Sequence, residues 1–81
     1  MDQLARFPKQ MGAALRRRRR ALGRTQSDLA SQAGVRQATV SSAEAGETMQ
    51  LDTLFSLLAA LNLELVLRER TKGAANLGDL F

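Results

Sequence analysis

The sequence predicts an all-α domain of four to five helices that is closed by one short C-terminal β-strand. Three observations lead to this prediction. Apolar residues recur at steps of three and four along most of the chain, a glycine or asparagine ends each such stretch, and alternation of period two appears only near the C-terminus. With 81 residues, of which 44% are hydrophobic, the chain has room for one core and therefore for one domain.

The first predicted helix follows a lead-in of residues 1–7. Pro8 suits the first turn of a helix because its missing N–H would have no partner there, and Gly23 is a residue at which helices readily end. Between these two residues, one helix face carries an apolar stripe with a charged residue in it. Its members, three or four residues apart, are Met11, Leu15, Arg18 or Arg19, and Leu22.

Two short helices come next. Thr25 is a predicted N-cap, and Asp28, three residues later, completes a capping box. The helix that follows covers residues 26–33, and a third helix covers about residues 37–45. The few residues between them begin with Gly34, and two short helices joined in this way have the layout of a helix-turn-helix motif.

The fourth predicted helix begins after the polar loop 46–50 and ends at Asn62. Asp52 and Thr53 lie at its start, where a carboxylate favours the helix dipole. We expect its wide apolar face to supply both core and dimer interface through Leu51, Leu54, Phe55, Leu58 and Leu61.

Residues 63–70 have the alternation of a β-strand, with apolar side chains at Leu63, Leu65 and Leu67. A lone strand is unstable because its backbone groups need a partner. Since the chain contains no second predicted strand, we expect this one to pair with its own copy in a homodimer. Residues 71–81 are a predicted flexible tail. Its apolar tip is either a frayed terminus or a docking element for a partner protein, through Leu77, Leu80 and Phe81.

Composition limits the chemistry that the chain can perform. There is no cysteine and no histidine, so thiol nucleophiles, disulfides and the commonest general base and metal ligand are missing. The acidic residues Asp28, Glu44 and Glu47 are explained better by capping and salt bridging than by acid–base or metal chemistry. We therefore expect no enzymatic activity, no metal and no cofactor.

Positive charge is concentrated in the first part of the chain. Residues 1–36 carry a net charge of +7 and residues 37–81 a net charge of −3, which indicates a polyanionic partner, most often nucleic acid. No apolar run approaches the roughly 18–20 residues that span a bilayer, and residues 1–9 lack the hydrophobic stretch of a signal peptide. We expect a cytoplasmic protein without membrane association.

The third predicted helix has small polar residues on its outer face, as a helix that enters the DNA major groove requires. Glutamine pairs with adenine, arginine with guanine, and alanine or threonine methyl groups contact the thymine methyl. The alternative for Gln37 and Ser41 is an ordinary solvated helix face. Val40, on the opposite side, is expected to anchor the helix in the core.

The block from Thr25 to Gly46 resembles the helix-turn-helix domain of Cro/repressor-type (Xre) proteins. Its threonine–glutamine start, Gly34-Val35 turn, Thr39-Val40-Ser41 core of the third helix and Glu44-Ala45-Gly46 end agree in register with that pattern, over about residues 12–62. Within the family the chain is most similar to HipB-type antitoxins, on residues 36–41 and residues 61–65 followed by a strand. The resemblance implies a lambda-repressor-like fold for a DNA-binding domain at residues 8–62.

The resemblance also implies roles for individual residues. HipB-type proteins dimerise through a C-terminal strand, repress their own operon and bind a serine/threonine-kinase-like toxin. Arg19 and Glu44 match a family pair that forms an internal salt bridge. The resemblance places base-reading roles on Arg36, Gln37, Ala38, Ser41 and Ser42, and a phosphate contact on Gln26. Apart from the resemblance, further predicted phosphate contacts are Arg16, Arg17, Arg20, Arg24 and Thr39.

Two positions depart from the family pattern. Arg24 stands where a bulky apolar residue is common, and Ala43 where leucine or phenylalanine is common. Both indicate a smaller core around the third helix, or an additional phosphate contact from Arg24.

The arginine run 16–20 sweeps about 400° around a helix, so its members cannot all face one surface. An arginine-rich RNA-binding helix is an alternative, but no aromatic residues interleave the run to stack on bases.

The charge, the helix-turn-helix layout and the lone strand predict a homodimer that binds double-stranded DNA at an inverted-repeat operator. The resemblance to HipB-type proteins implies further that it is an antitoxin, which represses its own operon and neutralises a kinase-like toxin. The alternative is a stand-alone Xre-type dimeric repressor without a toxin partner. Two recognition helices about one DNA turn apart, roughly 34–36 Å, would require the inverted repeat.

Overall fold

A computed structural model describes residues 2–70 of the chain. Within this range the chain forms four helices and no strand, which confirms the all-α class and the helix-turn-helix architecture. The helices are α1 (Pro8–Ala21), α2 (Gln26–Ala33), α3 (Gln37–Glu44) and α4 (Leu51–Ala60). The predicted tail and its apolar tip, Leu77, Leu80 and Phe81, lie outside the described residues.

Local side-chain chemistry fixes where α1 and α2 begin. Pro8 occupies the first position of α1. At α2, the backbone N–H of Asp28 donates to Thr25 Oγ1 at 3.0 Å, and the backbone N–H of Thr25 donates to Asp28 Oδ2 at 2.9 Å. Both halves of the capping box are therefore formed. These hydrogen bonds also lower the pKa of the Asp28 carboxyl.

All four helices end in the same way, with a left-handed residue followed by an N–H that donates to the carbonyl five residues back. In the turn between α2 and α3, Gly34 has φ +73° and the N–H of Val35 donates to Ala30 O at 2.9 Å. At the end of α4 the left-handed residue is Asn62, with φ +56°, and the N–H of Leu63 donates to Leu58 O at 2.8 Å. This Schellman arrangement satisfies terminal carbonyls and keeps the turns short.

The core lies where the four helices meet. It is made of small and medium apolar side chains: Leu15, Leu29, Ala30, Val40, Ala43, Leu57, Leu58 and Leu61. Ala43 is only 1% exposed, and its backbone carbonyl lies where α1 approaches α3, as described below.

The apolar face of α4 is shifted from the predicted one. Leu57, which the prediction omitted, is 1% exposed, whereas Leu51 and Phe55 are 67% and 48% exposed. The inward face follows Leu54, Leu57, Leu58 and Leu61 at the steps of a helix that contacts the core. Of the face predicted to supply core and dimer interface, Leu51 and Phe55 are left on the surface of the single chain, and their place in a dimer interface stays a prediction.

Residues 63–70 form no strand in this single chain. Leu63 packs against the core, but Leu65, Val66 and Leu67 are 41%, 70% and 90% exposed. A strand is defined by hydrogen bonds to a neighbouring strand, and one chain supplies no such neighbour. The predicted strand pairing requires a second molecule and stays a prediction.

Gly12 marks the crossing of α1 and the end of α3. A β-carbon at this position would lie 2.5 Å from Ala43 O and 2.6 Å from Glu44 O, which is closer than non-bonded atoms approach. The absence of a side chain therefore lets α1 lie against the backbone of α3.

Replacing Gly12 with Ala tests this contact. In an open helix site the substitution would stabilise the fold by about 0.5–1 kcal/mol. Because the β-carbon meets backbone oxygens, we expect instead a loss of roughly 1–3 kcal/mol in unfolding free energy, measured by urea titration. Ala13→Ser, at the exposed neighbouring position, is the control and should change stability by no more than about 0.5 kcal/mol. A stabilised Gly12→Ala variant would contradict the crossing geometry.

Candidate nucleic-acid interface

A buried ion pair joins α1 to the end of α3. Arg19 donates from Nε to Glu44 Oε2 at 2.6 Å and from Nη2 to Glu44 Oε1 at 3.0 Å, and the two side chains are 9% and 4% exposed. Arg19 Nη1 donates to the backbone carbonyl of Arg24 at 2.8 Å. The resemblance to Xre-type domains implies this pair, and the structure contains it with the bidentate geometry that makes such pairs strong.

The surroundings of Glu44 favour its charged form. Burial by itself raises the pKa of this carboxyl, but hydrogen bonds from Arg19 and Gln26 and the nearby charges of Arg19 and Arg16 lower it below its ordinary value. The hydrogen bond to Glu44 correspondingly raises the pKa of Arg19 against the effect of burial. The pair is therefore ionised at neutral pH.

Gln26, a predicted phosphate contact, is the first residue of α2. Its Nε2 donates to Glu44 Oε1 at 3.1 Å, so the buried carboxylate holds the amide in place. The N-terminal end of a helix carries unpaired N–H groups and a partial positive charge, which suit a phosphate oxygen. The ion pair thus also orients the residue at this helix end.

The helix period divides the arginine run 16–20 into three groups. Arg19 is buried in the ion pair, and Arg18 is half-buried against α4. The other three are exposed on one face of α1, where Arg17 also contacts Gln3 Oε1 through Nε at 3.1 Å and Nη2 at 2.7 Å. This basic face borders the end of α3 in a shallow groove lined by Lys9, Ala13, Arg16, Arg17, Arg20, Glu44 and Ala45.

Arg24 contacts α4 in the structure. Its Nη1 donates to Ala60 O at 2.6 Å, next to Arg18, whose Nε donates to Leu61 O at 3.0 Å. From the sequence, Arg24 indicates either a smaller core around the third helix or an additional phosphate contact. Neither interpretation includes this hydrogen bond to the end of α4. The phosphate contact stays a prediction.

The outer face of α3 carries the predicted base-reading residues. Arg36, Gln37, Ala38 and Ser41 are exposed, whereas Ser42 and the predicted phosphate contact Thr39 are half-buried. Arg36 is the N-cap of α3 and makes no capping bond with its side chain. On the opposite side of the helix, Val40 and Ala43 are buried in the core. The core contacts therefore turn the polar side chains of the first turn outward.

Two features of this surface were missed from the sequence. Lys9 extends the basic face by two turns, and its position seven residues before Arg16 was a usable signal. The bonds from Arg18 and Arg24 had no such signal, because their acceptors lie 43 and 36 residues away along the chain.

Among residues 2–70, no three acidic, histidine or cysteine side chains come together as a metal site would require. None of the helices in the same range has the length and hydrophobicity needed to cross a membrane.

Comparisons with known proteins agree on one family. Residues 15–67 match the helix-turn-helix family HTH_3. Two solved structures of HipB complexes are similar over their whole length: a HipB variant with an O2 20mer (32% identity, 88% of this chain and 100% of that one, TM-score 0.81) and HipB with an O4 20mer (34%, 86% and 100%, 0.80). A HipA–HipB–O2–O3 complex is also similar (34%, 86% and 100%, 0.79). Among curated protein sequences, nothing matches.

Replacing Glu44 with Gln leaves the buried Arg19 guanidinium without its counter-ion. We expect the unfolding free energy at pH 7 to fall by about 3–5 kcal/mol, as for other broken buried pairs. Because the pKa of Glu44 is lowered on folding, its contribution is complete above the ordinary value of 4.5 and is lost as the pH falls through the lower folded value. The stability difference between the wild type and Glu44→Gln, measured by urea unfolding, should therefore shrink below about pH 4.5.

Glu47→Gln provides the matched control for this experiment. Glu47 is exposed three residues further along the chain, and its replacement should change stability by no more than about 0.5 kcal/mol. A wild-type to Glu44→Gln difference that stays constant from pH 7 to pH 3 would contradict the stabilising role of the ionised pair.

Proposed function

The chain belongs to the HTH_3 family of helix-turn-helix proteins, and within it to the HipB type; from this premise we propose that it is a dimeric, sequence-specific DNA-binding antitoxin. It would repress its own operon and neutralise a serine/threonine-kinase-like toxin. The observation that carries the proposal is an exposed polar recognition face on α3 beside a cationic face on α1. The family and the HipB structures also favour a DNA-binding regulator over an enzyme.

Phosphate binding would be the task of α1 and the start of α2. Lys9, Arg16 and Arg20 present positive charge along one helix face, and Gln26 lies at the α2 N-terminus beside it. Each phosphate that such groups neutralise releases counter-ions, which supplies affinity independent of sequence and sensitive to salt. These contacts would set the register of the protein on the duplex.

Sequence would be read by the first turns of α3. Gln37 has the amide geometry for adenine, Arg36 the fork for guanine, and Ala38 a methyl group for thymine. Ser41, one turn after Gln37, extends the same exposed face, and Ser42 borders it. A helix with such short side chains approaches the base edges closely, which favours direct readout in the major groove.

Dimerisation would use the apolar surface that one chain leaves exposed. Residues 64–70 make no backbone–backbone hydrogen bond within the part of the chain that the structure describes, and they expose the side chains of Leu65, Val66 and Leu67. The α4 helix adds Leu51 and Phe55 to this surface. A second copy would supply the neighbouring strand that a lone chain lacks. Two recognition helices about 34–36 Å apart would then fit an inverted repeat, and a duplex of about two turns would hold both.

Toxin binding is supported by the similarity to HipB in a complex that also contains HipA. The tail 71–81, with its apolar residues at Leu77, Leu80 and Phe81, is the proposed docking element. The second candidate function is a stand-alone Xre-type repressor. This function is favoured if the tail binds no partner protein, because an antitoxin and a stand-alone repressor would use the same DNA-reading face on α3.

Gln37→Ala tests base reading. We expect a loss of roughly 1–3 kcal/mol in binding to an inverted-repeat duplex that the wild type selects from a randomised library, with little change on random DNA. The affinities are measured by fluorescence anisotropy at one fixed salt concentration. Gln32→Ala removes an exposed glutamine from α2 and is the control, with unchanged affinity for both duplexes. Equal losses on both duplexes for Gln37→Ala would exclude a base-reading role.

Nested truncations test the dimer and the tail together. Chains ending at Arg70 and at Asn62 are compared with the full chain by sedimentation and as affinity baits for lysate from the native source. We expect the full chain and the Arg70 chain to be dimers and the Asn62 chain a monomer. A kinase-like protein, identified by mass spectrometry, should bind the full chain and be lost at Arg70.

Either half of that prediction can fail separately. An unchanged dimer at Asn62 would exclude strand pairing through residues 63–70. If no kinase-like protein is retained by the full chain while the selected duplex still binds, the stand-alone repressor is the correct function.

A further inference from the structure

Every carbonyl in the last turn of α4 has a partner, and two of the partners are arginine side chains. The carbonyls of Leu57, Leu58 and Ala59 accept backbone N–H groups from the chain end itself. The next two cannot, because the chain has already turned away at Asn62. Ala60 O accepts instead from Arg24 Nη1 and Leu61 O from Arg18 Nε.

These two arginines lie 43 and 36 residues before their acceptors along the chain. Arg18 lies on α1, and Arg24 lies in the α1–α2 connection, two residues before Gln26. The backbone of Arg24 is itself held, since its carbonyl accepts from Arg19 Nη1 at 2.8 Å. A continuous set of hydrogen bonds thus runs from the Arg19–Glu44 pair, beside the recognition helix, to the residue where the chain leaves α4.

We propose that Arg24, assisted by Arg18, is a positioning residue that fixes the direction in which residues 63–70 leave the domain, and with it the separation of the two recognition helices. The inference rests on the proposed dimeric DNA binding. It gives Arg24 a role in operator spacing, and it replaces the phosphate contact that the sequence offers for this residue.

Small rotations at this point are large on the scale of DNA. The radius of gyration of the chain is 13.6 Å. A rotation of about 15° about the end of α4 moves a point that lies one radius of gyration away by about 3.5 Å, close to the 3.4 Å rise of one base pair. Because the arginine guanidinium is planar and donates in fixed directions, two such bonds resist this rotation better than the Asn62 turn alone.

The phosphate role and the positioning role predict different measurements. Removing a phosphate contact reduces the dependence of log Kd on log salt by about 0.9 per contact, or about 1.8 for a dimer, and leaves the preferred spacing unchanged. Loss of the arginine hydrogen bonds to the end of α4 leaves the salt dependence of DNA binding unchanged and widens the range of half-site spacings that bind well. Arg24 has its donor on Ala60 O, where positive charge also favours the C-terminal end of the helix dipole.

The test uses the full chain and the inverted-repeat duplex that the wild type selects from a randomised library. Derivatives of that duplex have the half-sites one or two base pairs closer together or farther apart. Binding of the wild type, Arg24→Gln and Arg20→Gln is measured by anisotropy across a salt series. Arg20 lies on the exposed basic face of α1, so its variant serves as the phosphate-contact comparison.

For the wild type we expect at least a tenfold loss of affinity when the spacing changes by one base pair. For Arg24→Gln we expect less than a threefold loss, with the wild-type salt dependence. For Arg20→Gln we expect the wild-type spacing profile with a reduced salt dependence. A wild-type spacing profile in Arg24→Gln overturns the proposal, and a reduced salt dependence with that profile assigns Arg24 to phosphate.

Circular dichroism establishes that each variant is folded at the temperature of the assay. If Arg24→Gln does not fold, Arg18→Gln, which removes the neighbouring bond to Leu61 O, decides the question by the same two criteria. A wild type that sediments as a monomer, or that selects no inverted repeat, refutes the proposed function and with it the basis of the spacing role. If the wild type is dimeric and selects an inverted repeat, a negative result for the variants contradicts only the positioning role of Arg24.

Discussion

The ion pair between Arg19 and Glu44 is the interaction on which the other parts of the fold depend. The described residues bury nine apolar side chains, all of them alanine, valine or leucine. Because a domain this small has a limited core, the polar contacts between helices help to decide how α1, α2 and α3 are arranged. Glu44 accepts from Arg19 and Gln26, and Arg19 also holds the carbonyl of Arg24. Because a buried charge without its partner is strongly unfavourable, this arrangement is specified more narrowly than an apolar contact would be.

The arginine run shows how one stretch of repeated residues acquires three roles. Successive residues are separated by 100° around a helix, so α1 turns Arg19 toward the core and Arg18 toward α4. Arg16, Arg17 and Arg20 remain on the outside, where Lys9 joins them. The charge that indicates a nucleic-acid partner is thus divided between structural and exposed positions. Only the exposed part is available for phosphate.

Local sequence signals predict the parts of the fold that local interactions determine. The capping box at Thr25, the left-handed Gly34 and the ends of all four helices could be predicted because neighbouring residues cause them. The inward face of α4 differs from the predicted one because seven of its ten residues are apolar, and periodicity alone does not decide which of them face inward. The arginine bonds to α4 depend on contacts between residues far apart in the chain, and a strand at residues 63–70 requires hydrogen bonds that one chain cannot make.

Two exposed surfaces of the single chain explain why the proposed function needs both DNA and a second copy of the chain. The face of α3 that carries Gln37 is polar and exposed, whereas Leu65, Val66 and Leu67, which follow α4, are apolar and exposed. The distance and angle between these two surfaces are fixed only if the chain does not rotate at the end of α4. The hydrogen bonds from Glu44 through Arg19 and Arg24 to Ala60 provide that rigidity. In a dimer, the same contacts that complete a small core would therefore also determine which operators the protein can bind.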